Sequence, residues 1–179
     1  MSLGILSVFG VYAATTTLNM QVLAGSVSIT SPTGLSFTGT ITASNATQSL
    51  EQNFNTSWAY YFSVQDLKGA DSGYNTTLQI SGPLTAWSNT IPASAISFKS
   101  STASPTLLTG TANVRVTLDA GATSYQNFSS TRTFIVRTNS ANSWVLGQYG
   151  AQIWLKIDVP AWQAAGTYTT SLVYTLIEN

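Results

Sequence analysis

The chain has 179 residues, of which 7% are charged, and its six Lys and Arg balance its six Asp and Glu. An average soluble protein carries about 25% charged residues. The chain contains neither His nor Cys. These counts exclude histidine acid–base catalysis, thiol chemistry and Cys/His metal ligation, and six basic side chains are too few for a phosphate-binding surface. We therefore expect no cofactor and no nucleic-acid partner.

The polar part of the chain is dominated by Ser and Thr, which make up roughly 28% of the residues. Thr, Val, Ile and the aromatic residues favour strands, so this composition predicts a β-protein. Its surface is polar but uncharged, and a net charge near zero promotes association. The length suits one domain with a substantial core. Together with the lack of Cys, these features favour a secreted or cell-surface protein that associates.

An uncharged apolar run occupies residues 3–14. It is shorter than the roughly 20 residues that span a bilayer, so we predict no membrane span in the mature protein. Two interpretations stay open. The run fits the apolar region of a secretory signal, or a strand that is apolar on both faces and inserts into a neighbouring subunit as a donor strand. The predicted organisation is this segment, 1–14, followed by a single β-sandwich domain at 15–179.

Apolar residues alternate with polar residues through most of the chain after residue 14, which is the pattern of half-buried strands. The alternating sets are, in chain order, Leu18/Met20/Val22, Leu35/Phe37/Ile41, Trp58/Tyr60/Phe62/Val64, Leu78/Ile80, Ile96/Phe98, Val114/Val116/Leu118, Phe134/Val136, Ile153/Leu155/Ile157/Val159 and Tyr168/Leu172/Tyr174/Leu176. Turn residues separate these runs, whereas 101–112 and 138–150 are expected to be irregular. About nine strands at these spacings predict an all-β fold, a jelly-roll or Ig-like sandwich of two antiparallel sheets.

Few residues suggest chemistry. Asn45, Asn55, Asn75 and Asn127 begin Asn-x-Ser/Thr triplets and are candidate N-glycosylation acceptors, although a chain this rich in Ser and Thr produces such triplets by chance. The loop 66–75 carries two acids but does not have the spacing of a calcium loop, so we predict a turn there. The acids are scattered and give no catalytic pair, and we expect no enzyme.

Tryptophan is the remaining candidate for recognition. Trp144, Trp154 and Trp162 lie late in the chain, and the alternation places Trp154 on the face opposite the apolar set. An exposed Trp would indicate a sugar-binding platform or a subunit contact, and the alternative is packing against a loop at the rim of the sheet.

Two stretches resemble the WxL-type cell-surface domains. The run Gly-Thr-Tyr-Thr-Thr-Ser-Leu-Val-Tyr-Thr-Leu at 166–176 resembles their closing strand, Gly-x-Tyr-x-x-x-Leu-x-aromatic-x-Leu. The run 62–69 followed by 73–78 resembles their Asp-x-x-Gly turn and the strand after it. Tyr74 and Tyr174 stand where those domains favour Trp. The resemblance implies a cell-surface or carbohydrate-binding module.

In overall character the chain also resembles the subunits of archaeal bundling pili and threads and of bacterial biofilm-matrix fibres. The shared features are few charges, no Cys, abundant Thr and an apolar N-terminus. This resemblance implies a homopolymer in which the N-terminal strand of one copy completes the sheet of the next, with glycans as further partners. The residues then expected at the intersubunit contact are Leu3, Ile5, Phe9, Val11, Leu18, Met20 and Val22.

The leading hypothesis is therefore a structural subunit of an extracellular filament or pilus. A strand from residues 3–23 would insert into the neighbouring subunit, and head-to-tail contacts that do not close would produce the polymer. The alternative is a monomeric, WxL-like cell-surface or carbohydrate-binding module.

Overall fold

The computed structural model describes residues 20–23, 25–54, 57, 59, 61–69, 72–119, 121–139 and 146–179. Within these ranges the chain forms fourteen strands, a 3-10 helix at Ala93–Ala95 and no α-helix. The strands are β1 (Val27–Thr30), β2 (Gln48–Asn53), β3 (Phe62–Asp66), β4 (Tyr74–Ile80), β5 (Leu84–Ala86), β6 (Asn89–Ile91), β7 (Ile96–Ser100), β8 (Thr106–Gly110), β9 (Val116–Leu118), β10 (Gln126–Asn127), β11 (Arg132–Arg137), β12 (Gly147–Ala151), β13 (Ile153–Val159) and β14 (Leu172–Glu178).

The strands form two packed layers. Antiparallel pairing gives three four-stranded sheets, β1-β3-β12-β8, β10-β7-β13-β2 and β14-β4-β11-β9, and the hairpin β5-β6. The first two sheets lie end to end, because β12 leads through Gln152 into β13 while β2 and β7 lead towards β3 and β8. We call these two sheets the long layer and the third sheet the short layer.

The core lies between the two layers and is rich in aromatic rings. Phe62 of β3 and Phe98 of β7 each meet Phe134 of β11 edge to face, with ring centroids 6.1 and 5.8 Å apart. Alternate residues of β4, β7 and β13 are buried. The two-residue period of the sequence therefore becomes the inner faces of two packed sheets. The predicted all-β antiparallel sandwich is confirmed.

A buried ion pair joins the two layers. Asp66 ends β3 in the long layer, Arg137 ends β11 in the short layer, and their side chains are 4% and 3% exposed. Asp66 also accepts a hydrogen bond from the backbone N–H of Lys68 at 3.0 Å. A buried carboxylate needs such partners, because charge is costly to remove from water. The carboxylate of Asp66, the first residue of the 66–75 loop, therefore forms an ion pair with Arg137.

The expected number of strands, about nine, was too low. The predicted irregular regions contain β8 and part of β12, and neither strand alternates clearly in sequence. β2 was also missed, because its sequence, Gln-Ser-Leu-Glu-Gln-Asn, has a single apolar residue. Short or polar strands carry a weak periodic signal and are defined by their partners in the sheet.

Candidate functional site

An apolar groove runs along one side of the sandwich between β2 and the segment 160–172, which leads into the start of β14. Each of these strands lies at the edge of its sheet, and neither has a second strand partner in the described part of the chain. The groove has a volume of about 760 Å³. Its floor consists of buried apolar side chains, namely Phe62, Ile80, Leu84, Ile91, Ile96, Leu155 and Ile157. An edge strand presents unpaired backbone groups, so apolar floor and strand edge are available together.

Residues 31–47, which we call the cover segment, lie over this groove. They follow β1, which pairs with β3 from Val27 to Thr30, and they continue in the same direction past β2. Thr38 contacts the side chain of Gln52 through its N–H and hydroxyl, at 3.3 and 2.8 Å. The segment is assigned to no strand. Pro32 lacks an N–H and cannot extend the ladder of β1, which explains why pairing stops there.

The cover segment nevertheless keeps the two-residue period that its sequence predicts. Leu35 and Phe37 are half-buried and pack against the core, and Ile41 is half-buried where it lines the groove. Phe37 meets Phe54 edge to face at 6.4 Å. The sequence thus correctly placed the apolar side chains but predicted a strand where the structure has none.

Only some of the contact residues expected near the N-terminus are among the described residues. Met20 and Val22 are 84% and 80% exposed, and neighbouring Leu23 is similarly exposed. Leu3, Ile5, Phe9, Val11 and Leu18 lie outside the described residues. Gly25 donates its N–H to the carbonyl of Leu67, just beyond the end of β3. The cover segment runs beside β2, at the other end of the long layer. The exposed residues 20–23 and the groove therefore lie at different positions along the strand direction.

Charge is absent from the whole N-terminal part of the chain. The first charged side chain is Glu51, so neither the N-terminal segment nor the cover segment contains one. Burying an uncharged segment avoids the large cost of removing charge from water. The apolar run at 3–14 could therefore be buried without this cost.

The Asn-x-Ser/Thr sites differ in accessibility. Asn45 is exposed on a bend of the cover segment. Asn127 is exposed, but its side-chain oxygen accepts hydrogen bonds from Ser129 and Arg132. Asn75 is half-buried in β4, a strand paired on both sides. Asn55 lies outside the described residues. Of the three that are described, Asn45 is the most open to modification.

Two tryptophans are prominent on the surface of the protein. Trp87 is 89% exposed and Trp162 is 81% exposed, and both have a positive φ, 51° and 62°. The chain segments that follow or precede them meet, because Thr85 and Thr169 exchange backbone hydrogen bonds at 3.0 and 3.1 Å. Trp162 donates its backbone N–H to the carbonyl of Ser44 at 2.7 Å, and a hollow of about 250 Å³ beside this contact is lined by Trp162, Gln163 and residues 43–45. The lining combines an aromatic ring with uncharged polar side chains, which suits a neutral ligand.

The other late tryptophans are placed differently. Trp154 is half-buried on the outer face of β13, with the ammonium of Lys99 5.0 Å from its ring centre and 4.5 Å from that of Tyr125. Trp144 lies outside the described residues. Trp87 was missed by the sequence analysis because the two-residue loop between β5 and β6 lacks the Gly that usually marks such a turn.

The charged groups in the described part of the chain form local pairs and hydrogen bonds. No group of three acids that could hold a metal occurs among them. A hydrogen bond from Ser49 and the ammonium of Lys156 at 3.2 Å lower the pKa of Asp158. Burial, with the nearby carboxylate of Asp66, raises the pKa of Tyr74 well above its usual range. These shifts concern stability and are discussed below.

The chain matches no protein-family model, no curated protein and no solved structure. Across the described ranges, no helix is long and apolar enough to cross a membrane.

Proposed function

We propose that this protein is a structural subunit of an extracellular filament, in which the groove beside β2 takes the N-terminal strand of the next copy. The observation that carries this proposal is an apolar groove beside the outer edge of β2, which has no strand partner in the described part of the chain and is covered by a segment without strand pairing. Extended chains bind such sites by adding a strand, with backbone hydrogen bonds for affinity and alternate side chains for register.

The proposed donor is the apolar segment within residues 3–23. It carries no charge, so it can enter the groove without removing charge from water. Fully extended, these residues reach roughly 65 Å, whereas a six-residue strand such as β2 covers about 20 Å. The donor is thus long enough to reach a neighbouring molecule and still fill the groove.

The position of the exposed residues 20–23 supports a head-to-tail arrangement. They leave the body near the end of β3, while the groove lies beside β2 at the other end of the long layer. A donor and an acceptor that are different surfaces make a heterologous contact, and heterologous contacts that do not close give filaments.

The test uses the full chain with the donor changed. Ile5→Lys, Phe9→Lys and Val11→Lys together should abolish filaments in negative-stain micrographs, because the groove cannot take three charges. Leucine at the same three positions is the control and should preserve filaments. When added in small amounts, the lysine variant should also shorten wild-type filaments. A wild-type donor strand can enter the groove of the variant, but the variant has no donor strand for the next subunit, so growth stops there. Filaments of normal length formed by the lysine variant alone would refute the proposal.

Exposed tryptophan supports a second candidate function, the binding of a neutral polysaccharide at Trp87 and Trp162. An exposed Trp in a left-handed conformation is unfavourable for the fold, and such conformations are concentrated at functional sites. Trp87→Ala and Trp162→Ala should then abolish co-sedimentation with insoluble polysaccharide. Val114→Ala, at a 94% exposed apolar residue in another loop, is the control. Unchanged co-sedimentation in the Trp variants would reject this candidate.

A further inference from the structure

We propose that the cover segment, residues 31–47, is a displaceable placeholder that occupies the groove of the free subunit and leaves it when the neighbour's strand enters. This inference rests on the proposed filament function. It adds a device that acts before assembly, because a groove left open in the free subunit would expose an apolar floor and an unpaired strand edge.

The first support is the fit of the cover segment in the groove, which is incomplete. Leu35, Phe37 and Ile41 point to the sandwich at alternate positions but stay half-buried. Between them, Gly39 has no side chain, and a Cβ built there would lie 2.6 Å from Cδ1 of Leu50. A groove of about 760 Å³ remains between the segment and the floor. The segment covers the floor without filling it.

The second support is the hydrogen bonding of the segment. Among the described residues, the single backbone–backbone hydrogen bond of 31–47 runs from the N–H of Trp162 to the carbonyl of Ser44, at 2.7 Å. The outer edge of β2 therefore receives no ladder from it. A strand that enters the groove could form this ladder with β2.

The third support is the way the segment is anchored. Thr30 pairs with Ser63 on one side, and Gln48 pairs with Val159 on the other. The residues between these anchors can move outward without breaking any strand pairing. Long segments that lack regular structure are uncommon inside compact domains, and functional loops are one of the two classes in which they occur, beside linkers.

These three features favour replacement of the cover segment by an incoming strand over a groove that the cover segment closes permanently. The incoming strand gains ladder hydrogen bonds and apolar contacts. The outgoing segment loses one backbone–backbone hydrogen bond, the two hydrogen bonds of Thr38 to Gln52, the contact of Phe37 with Phe54 and partial burial. A ligand shifts a conformational equilibrium by its difference in affinity for the two states. The neighbour's strand binds only the state in which the cover segment has left, so assembly and displacement are coupled.

A disulfide that ties the cover segment to β2 tests this inference. The chain has no Cys, so Gly39→Cys with Leu50→Cys gives one defined pair, placed where a side chain at position 39 would meet the side chain of Leu50. Thr117→Cys with Val136→Cys is the matched control, because these residues are directly opposite on β9 and β11, at the edge of the short layer far from β14.

The assay is filament growth followed by light scattering, with oxidised and reduced samples of each variant. The oxidised Gly39/Leu50 variant should assemble at least tenfold more slowly than its reduced form, and the control pair should show no such difference. Equal rates for oxidised and reduced Gly39/Leu50 samples would overturn the placeholder while leaving the filament function intact. Wild-type protein that forms no filaments would instead overturn the filament function, and the placeholder with it.

A second variant weakens the placeholder without a cross-link. Phe37→Ser removes the contact with Phe54 and should loosen the cover segment. If the segment is displaced before assembly, filaments should grow several-fold faster than in the wild type. A purely structural role for Phe37 predicts slower growth or aggregation without filaments, and either result would refute the inference.

Discussion

The ion pair between Asp66 and Arg137 yields the most quantitative prediction for the fold. Both side chains are almost fully buried and connect the long layer to the short layer. Arg137→Met would leave the carboxylate of Asp66 in the core without its counter-charge. Breaking a buried pair in this way costs about 3–5 kcal/mol, whereas replacing both partners by apolar residues is often neutral.

The expected loss is easy to measure. For a chain of this length, 1 kcal/mol lowers Tm by about 2–4 °C, so Arg137→Met should lower Tm by roughly 6–20 °C. Urea unfolding followed by tryptophan fluorescence should show the same loss in the free energy of unfolding. The double variant Asp66→Leu/Arg137→Met should recover most of it.

The double-mutant cycle is the decisive part of this experiment. A cost below about 1 kcal/mol for Arg137→Met, or a double variant whose loss equals the sum of the two single losses, would refute the view that the pair is a buried, mutually dependent unit.

Three further predictions concern single residues. Tyr74 has a raised pKa, so its contribution to stability is present below about pH 10 and is lost as the pH rises further. Tyr74→Phe should therefore reduce the fall of the urea midpoint between pH 10 and 12, and a midpoint that falls as steeply as in the wild type would count against this. Ser49→Ala should raise the pKa of Asp158 in a carboxyl NMR titration and lessen the stability lost as the pH falls below about 4; an unchanged pKa would show that Lys156 alone sets it. Trp87→Gly should raise the free energy of unfolding by about 0.5–1 kcal/mol, because Gly accepts the positive φ without strain; a lower value would contradict this.

The sequence predicted those parts of the fold whose two faces differ. β4, β7 and β13 alternate between buried and more exposed residues, and their apolar periodicity predicted them. β2 and β12 escaped prediction because the first is polar and the second contains Gly147 and Gly150. Such strands are defined by pairing with β13 and β3, which no local pattern reveals.

The cover segment shows the opposite failure. Its alternation predicted a strand through Leu35, Phe37 and Ile41, and the side chains do face the sandwich. A strand also needs a partner, and after Pro32 the chain makes no ladder with β2. The groove could not be predicted either, because it lies between β2 and the segment 160–172, which are far apart in the sequence.

The central claim is that the groove beside β2 takes a strand from a second copy, and a density map of native filaments tests it most directly. The account predicts an extended chain in the groove, paired with the outer edge of β2 and continuous with the N-terminal residues of the neighbouring subunit. A map in which the chain in the groove continues from Thr30 of the same subunit, with no residue of a neighbour beside β2, would contradict it.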